Sequence, residues 1–347
     1  MKSTDIARIA GVSRSTVSRV INNYPNVPEE TRERILEIIK QYNYVPDASA
    51  RILAGIKNTT IGLFIIDIRP ESNSKGRRIA LSHYFSYLTG AIIEDAAKMG
   101  YRVLVTMINN SEMYKDVKQA FYNKTISGGI FIGQKSDDPI VKEIITAGYK
   151  VAIIDQSIES DKDIYSKCIV INSDNFSGAY NAIQYLINLK HSRIACITGE
   201  LEKASALERL DGYKKALLDA DIPVINSLIA SEEFTENGGY RAVKKLLARE
   251  KPTAIFLGND SMAIGAMKAI KEAGMKVPGD ISIVGFDDVE ISQYLNPPLT
   301  TVKMRLSEMA SLAANSLITA IDKELNFSAN YKVPVDLMIR ESCTESK

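Results

Sequence analysis

Two sets of residues in this 347-residue chain have types and spacings that can do chemistry. The first lies near the amino end. Arg14, Ser15, Ser18 and Arg19 fall on one face of a short helical pattern whose opposite face carries Val17 and Val20. Arginine can bond both acceptors of a guanine edge at once, and hydroxyls serve bases or phosphates. A helix bearing these groups suits contact with double-stranded DNA. The plain alternative is a surface bundle with two solvated arginines. The second set is Asp67, Gln134, Asp155 and Gln156, then Gly199, Glu200, Asn259 and Asp287, each just past an apolar run. Converging carboxylates and amides suit a polyhydroxylated ligand, because one carboxylate accepts from two adjacent hydroxyls. Each could instead cap the helix or turn that follows it.

These groups need elements to hold them. Residues 3–43 read as three short helices. Thr4 is placed to cap the first, Ile6 and Ile9 share one of its faces, and Gly11 breaks it. Ser13 then caps a second helix reaching about Asn22, and Asn22-Asn23-Tyr24-Pro25-Asn26 is turn chemistry. Pro28 suits the first turn of a third helix, with Glu29 and Glu30 favourable to its dipole. That helix is expected to bury Ile35, Leu36, Ile38 and Ile39 and to stop near Asn43. Counted from Ser3, a helix-turn-helix unit wants a small fifth residue where the helices touch and a glycine ninth for positive φ. Its fifteenth and eighteenth positions want β-branched core residues. Ala7, Gly11, Val17 and Val20 stand there. The second helix of this motif enters the major groove with its first residues at base edges.

Residues 46–60 form a linker with a pattern of its own. Pro46-Asp47 announces a helix, Ala48, Ala50 and Ala54 permit one, and Gly55 ends it. Two turns are too few to be stable alone.

From Ile61 onward, apolar runs alternate with amphipathic helical patterns. Strands are predicted over 61–67, 102–107, 128–133, 150–155, 168–172, 193–198, 224–229, 253–258 and 281–286. Helices are predicted over 84–99, 112–123, 138–147, 175–189, 205–220, 236–249, 260–273 and 305–324. Such alternation implies βαβ units and parallel sheets. Gly128-Gly129-Ile130-Phe131-Ile132-Gly133 recurs as Thr253-Ala254-Ile255-Phe256-Leu257-Gly258. Ala147-Gly148-Tyr149-Lys150-Val151 is echoed by Ala273-Gly274-Met275-Lys276-Val277, and each precedes a strand ending in aspartate, Asp155 or Asp287. The repeat predicts two lobes and a cleft, with 61–165 joined by 291–322 and 166–290 joined by 323–347. The expected fold is an all-α helix-turn-helix headpiece over 1–45, a hinge over 46–60, and an α/β two-lobed core over 61–347. That core is built of two parallel-sheet, Rossmann-like subdomains. Ligands of open parallel sheets bind beyond the carboxyl ends of the strands, where the second set of residues stands.

Composition narrows the classes. An apolar share of 45% with 24% charged residues is ordinary for a soluble globular chain. The net charge of +1 hides an asymmetry, because residues 1–60 hold nine Lys/Arg and six Asp/Glu. No apolar run approaches the ~18 residues a membrane span needs, and the amino end has no apolar signal core. Cys168, Cys196 and Cys343 are odd in number and far apart, which argues against a disulfide framework and against zinc. A cytoplasmic protein with no metal and no cofactor is expected. An enzyme is the alternative reading. Against it, no Gly-x-Gly-x-x-Gly follows a strand, and no phosphate loop ends in Lys-Ser/Thr. His83 and His191 lack a Cys or Ser partner at a recognisable spacing. A secreted sugar-binding protein would fit the lobes but not the amino-terminal motif.

Thr4-Asp5-Ile6-Ala7-Arg8-Ile9-Ala10-Gly11-Val12-Ser13 and Thr16-Val17-Ser18-Arg19-Val20-Ile21-Asn22 resemble the start of lactose/galactose repressor family regulators. Asn26-Val27-Pro28-Glu29-Glu30, Gly258-Asn259-Asp260-Ser261-Met262, Val277-Pro278-Gly279-Asp280 and Pro297-Pro298-Leu299-Thr300-Thr301 continue the likeness over essentially the whole chain. The resemblance implies a dimeric, DNA-binding repressor of carbohydrate-utilisation genes with a periplasmic-binding-protein type I core. A sugar or phosphosugar in its cleft would set its affinity for a near-palindromic operator. The resemblance also implies DNA contacts from Thr4, Ser13, Arg14, Ser15, Thr16, Ser18, Arg19 and Asn22, with Arg14 and Ser15 at base-reading positions. Leu53, beside Ala54, would enter the minor groove from paired hinge helices, as apolar wedges that unstack a base step do. For the effector it implies Arg209 and Asp287 as main contacts, Asp155, Ser205 and Asn259 as lesser ones, and Phe234 as an aromatic wall, where the plain alternative is that Phe234 belongs to the lobe core. One stretch departs from the pattern: Arg69 to Arg78 is extra, and its Lys75, Arg77 and Arg78 either serve an anionic ligand such as a phosphosugar or, as such runs more often do, form a solvated loop.

Overall fold

Gly11 takes φ +64°, and that single left-handed residue turns the chain from α1 (Ser3–Ala10) into α2 (Arg14–Ile21). Val12 N–H closes the turn on the Ala7 carbonyl at 3.0 Å. Ile6, Ala7, Ala10, Val17, Val20, Val27 and Ile35 form a small separate core with α3 (Glu29–Gln41). The computed structural model describes residues 3–21, 24–42, 57–68, 82–325 and 328–346. Asn22, the segment expected to form the hinge helix with Leu53 and Ala54, and the extra stretch from Arg69 lie outside the described residues. Two headpiece expectations change. Thr4 sits inside the first turn of α1 instead of before it, and Leu36 is exposed on α3 while Ile35 alone is fully buried there.

The core contains two six-stranded sheets. The first has the order β11-β5-β4-β3-β1-β2, from β1 (Thr60–Ile66), β2 (Arg102–Ile108), β3 (Gly129–Ile132), β4 (Val151–Ile154), β5 (Ile169–Ser173) and β11 (Ala329–Val333). The second has the order β12-β10-β9-β8-β6-β7, from β6 (Ile194–Thr198), β7 (Ile229–Ser231), β8 (Ala254–Leu257), β9 (Ser282–Asp287), β10 (Thr300–Lys303) and β12 (Asp336–Met338). All pairs are parallel except β10 with β12. The repeated segments β3 and β8 occupy equivalent places, each between the first strand of its lobe and the strand that leads to Asp155 or Asp287. Helices α4 (His83–Lys98), α5 (Tyr114–Tyr122) and α6 (Pro139–Thr146) belong to the first lobe. Helices α7 (Asn175–Asn188), α8 (Ala204–Asp219), α9 (Glu236–Leu247) and α10 (Asp260–Glu272) belong to the second. A single helical turn at Lys162–Tyr165 precedes β5, and α11 (Leu306–Asp322) lies against α4 and the first sheet.

The division of the lobes differs from the sequence expectation. β5 pairs with β4, so the first lobe runs past residue 165 to Ser173. β10 pairs with β9, which moves residues 300–303 to the second lobe, and β11 pairs with β5, which returns 329–333 to the first. The chain therefore passes between lobes after Ser173, after Lys303 and after Val333. Sequence neighbours were expected to share a lobe; the hydrogen-bond ladders interleave them instead. β7 also forms later than predicted, after a tight turn at Asn226–Leu228. One apolar cluster runs from Ile61, Leu63 and Ile65 through Met309 and Ala313 to Phe256 and Phe286, so the lobes share a core at the crossings.

Candidate functional site

The headpiece presents one polar face. Ser13 starts α2 by accepting the Thr16 N–H on its Oγ at 3.1 Å, and its hydroxyl also meets those of Ser15 and Thr16 at 2.7 and 2.8 Å. Val17 and Val20 point into the core, which turns Arg14, Ser15, Ser18 and Arg19 outward. Thr4 on α1 is exposed, and Ser13 and the partly covered Thr16 stand at the start of α2. Among the described residues neither Arg14 nor Arg19 is held in an ion pair, whereas Arg8 and Arg32 face Asp5 and Glu29. Arg14 in the first turn of α2 and Arg19 in its last, both exposed and outside any ion pair among the described residues, can reach acceptors on another molecule.

The second site lies where the carboxyl ends of the two sheets face each other. Its centre is Arg209, in α8, only 4% exposed. Its Nε donates to Asn175 Oδ1 at 2.9 Å, its Nη1 to the Gly258 carbonyl, and its Nη2 lies 3.6 Å from the Met304 sulfur. The guanidinium also covers the Phe286 ring, and Phe234 flanks it at 5.8 Å from ring centre. Asp287 Oδ1 stands 3.9 Å from Nη1. Burial raises the Asp287 carboxyl well above the ordinary carboxylate range; Arg209 draws it back, while Asp260 and Asp155 push it further up.

Asp155 enters from the other lobe. It follows β4 directly with φ +61°, and its Oδ2 accepts the Tyr84 hydroxyl at 2.6 Å. Burial raises its pKa, with Tyr84, Arg209 and Lys203 opposing. Ser205 is buried one helical turn before Arg209 on α8. Asn259 follows Gly258, but its Oδ1 is spent as the cap of α10, accepting the Met262 N–H at 2.9 Å. The Phe234 ring packs against Gly199, where a Cβ would overlap it. The structure thus gathers Asp155, Phe234 and Asp287 about Arg209, with Ser205 one turn before it on α8 and Asn259 next to Gly258, whose carbonyl Arg209 holds.

Other candidates divide by role. Gln156 is scaffold: its Nε2 donates to the Ser136 carbonyl at 2.9 Å and to Ser160 Oγ at 3.1 Å. Gln134, Asp155 and Glu200 each keep one buried oxygen that accepts nothing among the described residues. Across the mouth, Ser136 N–H donates to the Glu202 carbonyl at 3.0 Å, and Lys203 Nζ to the Gly133 carbonyl at 3.1 Å. Those bonds close one lobe on the other. A cavity of about 350 Å³ between Thr146, Lys150, Ser166 and Ser328 lies at the opposite ends of β4 and β5 and touches none of these groups.

Sequence reasoning missed Tyr84, Asn175, Lys203 and Asp260. Asp260 is fully buried and accepts the Val289 N–H at 3.0 Å and the Ser292 and Thr301 hydroxyls at 2.6 and 2.5 Å, which pins the loop after Asp287. Its place beside Asn259 in a strand–helix junction was the available signal. For Tyr84 and Asn175, whose partners are 71 and 34 residues away, the sequence carries none.

Comparison with known proteins gives one consistent picture. Residues 4–47 match the family described as bacterial regulatory proteins, lacI family, and residues 183–343 match a periplasmic binding protein-like domain. The chain is 35% identical over 344 residues to catabolite control protein A of Priestia megaterium, covering 97% of this chain and 98% of that one. It superposes on the lac repressor dimer bound to operator and the anti-inducer ONPF with TM-score 0.77 at 29% identity, covering 98% of each chain. A transcriptional regulator CelR–cellobiose complex matches with TM-score 0.75 at 25% identity, covering 99% of each. Among the described residues no helix is long and apolar enough to cross a membrane.

Proposed function

Because the chain belongs to the lacI family of bacterial regulatory proteins, we propose that its cleft is the effector site that sets the grip of its headpiece on an operator. The protein is a DNA-binding transcriptional regulator under small-molecule control. In the proposed mechanism the cleft takes a polyhydroxylated, sugar-like effector. Arg209 and Asp287 hold it from the second lobe and Asp155 from the first, with Phe234 against its ring and Ser205 and Asn259 at its edge. Arg14 and Ser15 read bases, and Thr4, Ser13, Thr16, Ser18 and Arg19 set the register on the backbone. The protein works by binding in the cytoplasm, without catalysis, and represses genes of carbohydrate use.

A ligand that prefers one lobe arrangement shifts the population toward it. The chain enters the core at Lys57 and Asn58. Asp322 holds Lys57 together with the Tyr101 hydroxyl, and Asn58 donates to the Lys124 and Thr125 carbonyls at 2.9 and 3.0 Å. Movement of the first lobe is therefore carried to the segment leading to the headpiece. The lac repressor it resembles is a dimer on its operator. Here the edge strand β2 exposes Leu104 (41%) beside Tyr87 (45%) and Ile93 on α4. A second copy covering that face would present two headpieces to a near-palindromic operator.

The carrying observation is the convergence of Arg209, Asp287 and Asp155 from two lobes on one space. The test is operator binding by gel shift with and without each member of a sugar panel, on the full chain and on Arg209→Ala. A ligand-dependent shift lost in the variant supports the reading; a shift that survives it refutes the site.

A further inference from the structure

If the cleft is the effector site, the polar atoms it leaves unmatched describe the effector. Gln134 Oε1, Asp155 Oδ1 and Glu200 Oε2 are buried without a partner among the described residues, and all three are acceptors. Buried polar atoms in folded proteins are normally paired. Gln134, 2% exposed, cannot relieve its oxygen by turning over. Its Nε2 donates to the carbonyls of Ile154 and Asp155 at 3.1 and 3.3 Å, and the reversed amide would set oxygen against both. That nitrogen rests on the backbone of Asp155, and the two residues follow the paired strands β3 and β4, so Gln134 and Asp155 are neighbours at one end of the first sheet.

Charge there is unbalanced as well. Asp155 lies within electrostatic reach of Asp287 and Glu208 on the facing lobe, with Arg209 and Lys203 as the opposing cations. Both cations are engaged. Arg209 serves Asn175, Gly258 and Asp287, and Lys203 donates to the Gly133 carbonyl. A buried carboxylate left in this state must find a cation or take up a proton. A hydroxyl offers one donor and no charge. A phosphate offers acceptors and more negative charge. A primary ammonium offers three donors, no acceptor and the missing positive charge.

We propose that the effector is a polyhydroxylated primary amine, such as an amino sugar, whose ammonium sits between Asp155 Oδ1 and Gln134 Oε1, and that phosphorylated sugars are excluded. The inference rests on the cleft reading above and narrows it. Calorimetric titration of the full chain tests it with glucose, galactose and mannose, their amino counterparts and their phosphate monoesters. At least one amine is expected to bind about ten- to a hundredfold tighter than its own parent sugar, as a charge-assisted hydrogen bond gives. Asp155→Asn is expected to bring amine and parent to parity. N-acetylation of the amine, which removes its charge, is expected to do the same in the unaltered protein, so the test stands even where the variant does not fold. Failure of every amine to bind, or binding of a parent sugar or phosphate as tight as its amine, overturns the ammonium assignment. Binding of any of these ligands that persists in Arg209→Ala overturns the cleft reading itself.

Discussion

The guanidinium carbon of Arg209 lies 3.7 Å from the centre of the Phe286 ring, and the next residue, Asp287, faces the same guanidinium at 3.9 Å. One side chain thus engages β9 with both its flat face and its edge. Lysine cannot do both. Arg209→Lys is expected to abolish the effector-dependent change in operator binding while effector-free binding persists in gel shifts. Arg209→Ala strands a buried carboxylate, a change that costs about 3–5 kcal/mol when a buried pair is broken. Urea denaturation reads that loss, and an unchanged midpoint would show that Asp287 does not depend on Arg209.

Arg14 opens α2 and is exposed with no ion-pair partner among the described residues. Arg14→Ala is expected to cost ~1–3 kcal/mol of operator affinity and to relax sequence preference at one base position. Binding to a library of operator variants measures both. An equal loss on every sequence would mean that Arg14 touches only phosphate.

Asp260 supplies the pH dependence. Burial pushes its carboxyl up to about 6 from an ordinary 3.8, although three donors oppose the shift. The folded chain therefore holds this proton more tightly than the unfolded chain does. The contribution to stability is full below about pH 4 and is lost as pH rises through about 6. Asp260→Asn cannot titrate, so its stability should vary less between those limits. It also offers one acceptor oxygen to three donors, which costs about 1–3 kcal/mol at neutral pH. Urea midpoints taken across that range decide the matter; a slope identical to that of the parent protein contradicts it.

Leu104 and Val105 stand exposed on an edge strand, where unpaired backbone invites a partner. Leu104→Glu is expected to shift sedimentation toward the monomer and to weaken operator binding, because the half-sites are then bound independently. A dimer that persists unchanged would place the interface elsewhere.

Periodicity made most elements legible. The β-rich runs from Ile61 to Phe286 and the helices between them lie within a few residues of their predicted places, apart from β7. What escaped was carried by partners far along the chain. Ala329-Asn330-Tyr331-Lys332-Val333 has too little apolar character to announce a strand, and it forms one because β5 offers it a ladder. The lobe boundaries failed for the same reason. In the cleft, position after a strand end found Asp155, Asn259 and Asp287 and overvalued Gln156, because spacing shows where a side chain starts and not which neighbours occupy it. Tyr84 and Asn175 follow no pattern of spacing; only the packed lobes bring them to Asp155 and Arg209.

α11 acquires a mechanical meaning from its two ends. It begins two residues after Met304, whose sulfur meets Arg209, and it finishes at Asp322, which grips Lys57 at the threshold of the headpiece. Seventeen residues rising ~1.5 Å each make a rod of about 25 Å. Along it Met309, Ala310, Ala313, Ala314, Leu317 and Ile318 are buried, so it has little freedom to bend. In the proposed mechanism the helix would serve as a tie-rod: a displacement of Arg209 at one end would pull on the tether at the other, with no need for the ligand to approach the DNA.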